Sequence, residues 1–128
     1  MEGLIDKYKI YNKAGVKIGV FGLGLELNGL VNPLLYNETK YYDPVDIAKD
    51  MTSKLKFEEK CDLVICISHL GHQYQIDKIS DTKLAKLTSN IDLIIGGHTH
   101  TLLKEPLILN NSLGEEVIIN QVGSGGVF

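Results

Sequence analysis

Cysteine is scarce, long apolar runs are missing and positive charge is not in excess, and each shortage removes a class of protein. The only cysteines are Cys61 and Cys66. In an extended segment they would stand roughly 16 Å apart at about 3.3 Å per residue, too far for a mutual disulfide. A disulfide-stapled scaffold is therefore excluded; Cys66, inside an apolar run, reads as core packing and Cys61 as a partly buried flanking residue. The longest continuous apolar stretch, Leu63 to Ile67, falls far short of the roughly 20 residues a membrane helix needs. With 13 basic against 16 acidic residues and a net charge of -3, there is no basic excess to grip phosphate backbones or anionic lipid. Neither nucleic acid nor a membrane is an expected partner. Internal repeats, low-complexity tracts and a Walker phosphate loop are also lacking, so the glycines at 22, 24 and 29 read as turn residues.

What is present describes one α/β domain. The chain has 128 residues, 44% hydrophobic and 23% charged, enough for a single core and too few for two ordinary ones. Tyr8 to Asn12 and Val16 to Gly22 are β-prone runs joined by Lys13-Ala14-Gly15, a hairpin or tight turn leading into a buried strand. Leu23 to Asn37, with Gly24, Gly29 and Pro33 among apolar residues, predicts a long packed loop. Asp43 before Pro44 is a helix start, and Ile47, Ala48, Met51 and Leu55 share one face of a helix reaching about Lys60. Leu63 to Ile67 has the pattern of a parallel strand covered on both faces. A second helix over Asp81 to Ser89 and a second buried strand over Ile91 to Ile95 complete a βαβ unit. Leu107 to Leu109 and Val117 to Asn120 flank a turn-rich segment and predict a hairpin after it.

All four histidines fall in Ser68-His69-Leu70-Gly71-His72 and Gly97-His98-Thr99-His100, each just past a predicted buried strand. Parallel neighbours lie about 4.8 Å apart, so residues beyond both C-terminal ends converge on the edge where open α/β sheets place their ligands. An extended backbone would aim His98 and His100 to one side, with Gly96-Gly97 giving the sharp turn before them. Imidazole nitrogens ligate zinc, manganese, iron, cobalt or nickel, so His69, His98 and His100 are the candidate metal ligands. His72 is left out of that set, as a group beside the metal, a substrate contact or an exposed residue.

Rival chemistries fail on the same residues. A cysteine nucleophile would need an exposed thiol, whereas Cys66 lies within the strand and Cys61 stands roughly 25 Å from His69 at strand rise. Ser68 beside His69 lacks the Gly-x-Ser-x-Gly elbow of a serine hydrolase.

Ser-His-Leu-Gly at 68–71, followed by Asp-Leu-Ile-Ile-Gly-Gly-His-Thr-His at 92–100, resembles the last two metal motifs of calcineurin-like metallophosphoesterases, in the branch of bacterial 5'-nucleotidases and UDP-sugar hydrolases. Val16 to Leu23 and Asn120-Gln121-Val122-Gly123 resemble the same branch. The resemblance implies a four-layer α/β/β/α sandwich and a dinuclear site of divalent ions (zinc, manganese, iron, cobalt or magnesium), with His69 and His98 on one ion and His100 on the other. It implies hydrolysis of a small phosphoester, a 5'-nucleotide by class. A non-catalytic metal-binding or interaction module on the same fold is the alternative.

The chain also departs from that family. The Asp-x-His, Gly-Asp and Asn-His-Asp or Asn-His-Glu motifs, which supply the bridging aspartate, an asparagine ligand and the leaving-group histidine, do not occur. The expectation is one domain over 1–128 that is a C-terminal piece of a catalytic domain, its end at Gly126-Val127-Phe128 falling where relatives continue into another strand. Asp62 and Asp92 start their strands, roughly 20 Å from the histidine end at strand rise. Asp43 and Asp46 open a helix, which leaves Asp77 and Asp81 as the only conceivable substitutes for the bridging carboxylate. Alone, the chain should hold one ion at most and be inactive. A strand such as Val16 to Gly22, left unpaired with an uncovered apolar face, should drive homodimerisation through the sheet edge.

Overall fold

A computed structural model describes residues 5–36 and 38–125; Asn37 and the terminal Gly126-Val127-Phe128 of the expectations above lie outside them. The chain starts with strands β1 (Tyr8–Lys13) and β2 (Val16–Leu23), paired antiparallel. Ala14 and Gly15 join them at φ 49° and 83°, the double left-handed conformation that matches the twist of a two-residue hairpin. After a short helix α1 (Pro33–Tyr36) comes α2 (Pro44–Ser53). Asp43 caps α2 by accepting from the amides of Val45 and Asp46 at 2.8 and 3.2 Å, and Pro44 fills the first position, where no amide is needed. The helix runs on as a π turn over Lys54–Glu58. It buries Ala48, Thr52 and Leu55.

Strand β3 (Leu63–Ser68), helix α3 (Asp81–Leu87) and strand β4 (Leu93–Ile95) form the anticipated βαβ unit, and β5 (Leu107–Asn110) and β6 (Glu116–Asn120) the hairpin after it. The six strands make one mixed sheet in the order β1-β2-β3-β4-β6-β5. Its middle four run parallel, and β1 and β5 are antiparallel edges. Leu23, Ser68, Ile95 and Asn120 thus end their strands along one edge of the sheet.

Among the described residues, helices cover only one face of this sheet, which corrects the reading of Leu63 to Ile67 as buried on both sides. Val64, Cys66, Ile94 and Ile119 point to the helical side and are fully buried, whereas Ile67, Ile95 and Ile118 on the other side are 53%, 45% and 42% exposed. A continuous apolar run does not reveal whether a second layer is there to use its other half. The register puts Ile18 and Val20 beside Leu63 and Ile65, Leu93 beside Ile65, and Ile118 beside Leu93, so the open side is a continuous apolar surface.

Three smaller expectations also change. The Val16 to Gly22 segment is not a free edge, because β2 is bonded to β1 on one side and β3 on the other; its hairpin partner supplies the missing ladder. The segment after β2 is packed down only in part: Leu25, Leu27 and Val31 are half-buried, whereas Leu30, Leu34 and Leu35 are exposed. Cys61 is buried rather than partly so, under Leu55 and Gly19. Both cysteines are free. No helix among the described residues is long and apolar enough to cross a membrane.

Candidate metal centre

The histidine loops leave the sheet at its C-terminal edge, side by side because β3 and β4 are parallel neighbours. The amide of His69 donates to the carbonyl of Leu23 at 2.9 Å, and that of Gly96 to the carbonyl of Asn120 at 2.8 Å. Each loop is therefore clamped to the next strand over. This brings the rings of His69 and His98 to a centroid separation of 5.3 Å, edge to face at 65°.

The two glycines before His98 serve close approach rather than turning. Neither has a positive φ; it is His98 and His100 that take the left-handed conformation, at 73° and 53°. The expected extended run across 98–100 is replaced by a bent main chain with a left-handed residue at each end. Such conformations are uncommon for non-glycine residues and cost on the order of 1–3 kcal/mol each, a cost met chiefly at functional sites. A side chain at Gly97 would stand 3.0 Å from Nδ1 of His69, so the absence of Cβ there makes room for the imidazole. At Gly96 a Cβ would overlap Oδ2 of Asp81.

Gln121 stiffens the turn between the two left-handed histidines. Buried, it accepts through Oε1 from the hydroxyl of Thr99 and the amide of Thr101, both at 2.9 Å. The hydroxyl of Thr99 in turn accepts from the amide of His72 at 3.0 Å, joining the two loops. Nδ1 of His72 is buried without a hydrogen-bond partner, and burial lowers the pKa of that ring. The pKa of His98 is also lowered, by burial first and then by the positive charges of His69, Lys78 and His100. Both effects favour the neutral imidazole, the form that ligates a metal.

His69 and His100 are exposed and His98 half-buried. Two of the three predicted ligands thus face each other, while His100 lies beyond the second turn. Among the described residues no three His, Cys, Asp or Glu side chains converge closely enough to hold an ion as they stand. The donors present fit part of a shell by their chemistry: two neighbouring imidazoles, the ligand type that binds such ions at about 2.0–2.1 Å. Among the described residues no carboxylate joins them. Asp62 and Asp92 accept from the amides of Lys17 and Val64 at the opposite end of the strands, both at 2.7 Å. Asp77 is solvent-exposed in an ion pair with Lys83.

Asp81, the other acid singled out in the sequence, lies beneath the site instead of in it. It is fully buried, and its Oδ1 accepts from the hydroxyl of Ser68 at 2.5 Å. Burial pushes its carboxyl up to about 6, against the pull of the Ser68 hydrogen bond and the His69 charge. The sequence left Asp81, with Asp77, as a conceivable bridging carboxylate, whereas the fold wedges it between two strand ends. A separate cleft of about 550 Å³, lined by Leu25, Leu27, Tyr36, Tyr41 and Tyr42 among others, opens from the loops after β2 and includes no histidine.

No family model matches the chain. It is 34% identical over 103 residues to a 5'-nucleotidase of Vibrio cholerae, spanning 75% of this chain and 19% of that protein. It is 33% identical over 131 residues to the trifunctional nucleotide phosphoesterase YfkN of Bacillus subtilis, spanning 99% of this chain and 8% of that protein. The solved calcineurin-like phosphoesterase YfkN superposes with a TM-score of 0.67 at 27% identity, over 81% of this chain and 35% of the other. The crystal structure of a 5'-nucleotidase precursor from Thermus thermophilus superposes with a TM-score of 0.79 at 26% identity, over 94% of this chain and 24% of the other. The chain spans about a fifth of the length of the curated 5'-nucleotidase it matches.

Proposed function

We propose that this chain, which corresponds in sequence and fold to the C-terminal part of the catalytic domain of 5'-nucleotidase-type calcineurin-like metallophosphoesterases, carries part of a dinuclear metal site for nucleotide phosphoester hydrolysis. The observation behind the proposal is the facing pair His69 and His98 at the C-terminal edge of a parallel sheet. In this reading His69 and His98 hold one divalent ion and His100 reaches the second. Divalent ions, when bound, act as Lewis acids on the phosphoryl group and generate the nucleophile.

What the chain itself contributes is placement. The clamped loops fix two imidazoles, Gly97 leaves space for one ring, and the Thr99–Gln121 bonds hold His98 and His100 on either side of a rigid turn. Among the described residues it supplies no bridging carboxylate, since Asp81 is sequestered beneath the strand ends, and the sequence lacks the motif that carries the leaving-group histidine. By itself the chain therefore holds one ion at most and turns over phosphoesters slowly or not at all. The open sheet face, rich in isoleucine, is where the second β layer of a four-layer sandwich would pack.

Zinc titration tests the ligands: binding should weaken on alanine replacement of His69, His98 or His100 and change little in His72→Ala. Hydrolysis of p-nitrophenyl phosphate, its bis ester and AMP should be assayed with manganese, cobalt or zinc, for this chain and for a protein that also supplies the missing motifs. Turnover is expected only from the latter. Robust turnover by the chain alone, lost in His98→Ala, would overturn the claim of incompleteness; none from either would favour a non-catalytic module.

A further inference from the structure

Two loops from different strands hold the rings of His69 and His98 edge to face, and one buried side chain touches the base of both. The Asp81 carboxylate accepts the Ser68 hydroxyl at 2.5 Å, and the same hydroxyl oxygen accepts the amide of Leu70 at 3.1 Å, so the turn carrying His69 is built around this contact. On its other side Oδ2 lies against the α-carbon of Gly96, close enough that no Cβ fits. The main chain adds two bonds: the amide of Asp81 donates to the carbonyl of Gly71 at 2.8 Å, and that of Thr82 to the carbonyl of His72 at 3.2 Å. The start of α3 is thereby seated under the His69 loop.

Oδ2 makes no hydrogen bond despite being buried. An unpartnered buried carboxylate oxygen is costly, because it forfeits hydration without gaining a hydrogen bond. A fold that needed only a helix start here would be better served by a smaller or apolar group. Ser80 already caps α3 through its hydroxyl, so capping does not account for Asp81. The wedge between Ser68 and Gly96 does.

We propose that Asp81 is a positioning residue for the metal centre, setting the spacing of His69 and His98 by bracing the ends of β3 and β4 against each other. This rests on the reading of the two histidines as ligands. Residues that orient metal ligands without touching the ion typically cost about 10–100-fold in affinity when removed. An effect in that range is expected here.

The test uses the full chain with Asp81→Ala, Asp81→Asn and Ser68→Ala, and two readouts. The first, on metal-free protein, is the nuclear Overhauser cross-peak between the His69 and His98 rings. The second is cobalt(II) affinity from its visible absorption. Asp81→Ala should abolish the cross-peak and weaken cobalt about 10–100-fold. Asp81→Asn, which keeps an oxygen acceptor for Ser68 in the same volume, should restore both. Should Asp81→Ala fail to fold, Ser68→Ala carries the test, with a weakened cross-peak and reduced affinity expected. Unchanged cross-peak and affinity in a folded Asp81→Ala or Ser68→Ala protein would overturn the proposal, as would an Asp81→Asn protein no better than alanine. If wild-type chain binds no cobalt, the ligand reading fails, and the cross-peak still decides whether Asp81 sets the spacing.

Discussion

Adding one methyl group at Gly96 tests the contact beneath the histidines most directly. The backbone there has no positive φ, so alanine suffers no conformational penalty and any cost is steric. Its Cβ would overlap Oδ2 of Asp81 and lie 3.3 Å from Cγ, requiring the carboxylate to retreat by about 1 Å to recover ordinary contact. Rotation about the last side-chain bond would relieve Oδ2 but carry Oδ1 away from the Ser68 hydroxyl. The choice is between overpacking, about 1–3 kcal/mol, and loss of a hydrogen bond to a charged group, about 1.5–3 kcal/mol. A loss of about 2 kcal/mol is therefore expected in urea unfolding of the metal-free chain followed by circular dichroism. Gly24 is the control: it has no positive φ and nothing within 4 Å of an added Cβ, so Gly24→Ala should stay within about 0.5 kcal/mol. In an Asp81→Ala background the overlap is gone, and Gly96→Ala should likewise fall to about 0.5 kcal/mol or less, a coupling of more than about 1 kcal/mol. If Gly96→Ala is as mild as Gly24→Ala, or costs the same with and without the aspartate, the reasoning is wrong.

The Asp81 carboxyl also makes folding pH-dependent. Its folded-state value, about 6 against an ordinary 3.8, is raised, so its contribution is fully present below the unfolded value and is lost as pH rises through about 6. At about 1.4 kcal/mol per pH unit the loss is bounded at about 3 kcal/mol. His72 and His98, whose values are lowered by burial, act in the opposite direction, so the quantity to follow from pH 4 to 8 is the stability of wild type relative to Asp81→Asn, which should decline, and parallel curves would refute it. The open sheet face predicts association: sedimentation velocity should show concentration-dependent self-association of the chain, suppressed in an Ile67→Lys/Ile118→Lys variant that keeps its circular dichroism. A monomer at all concentrations would show that the face tolerates water by itself.

The strands and helices were legible because their signals are local. Asp43-Pro44 writes a helix start in two residues, Ala14-Gly15 a hairpin, and the apolar runs at 63–67 and 91–95 two parallel strands, whose adjacency follows from the short helical crossover between them. That adjacency suffices to place His69 and His98 together, so the pairing of the two loops was readable too, and the similarity to 5'-nucleotidases agrees with the motifs that suggested it. What depends on which groups meet across the fold was not. Burial of a strand's second face is decided by whether another layer exists, and Ile67, Ile95 and Ile118 carry the same side chains whether or not they are covered. The left-handed turns at His98 and His100 arise from Thr99 and Thr101 bonding to Gln121, twenty residues or more along the chain, which no spacing within Gly-Gly-His-Thr-His reveals. Asp81 looks like any helix-opening acid until tertiary packing sets it between Ser68 and Gly96, because a side chain's neighbours across a sheet edge are fixed by strand order rather than by distance in sequence.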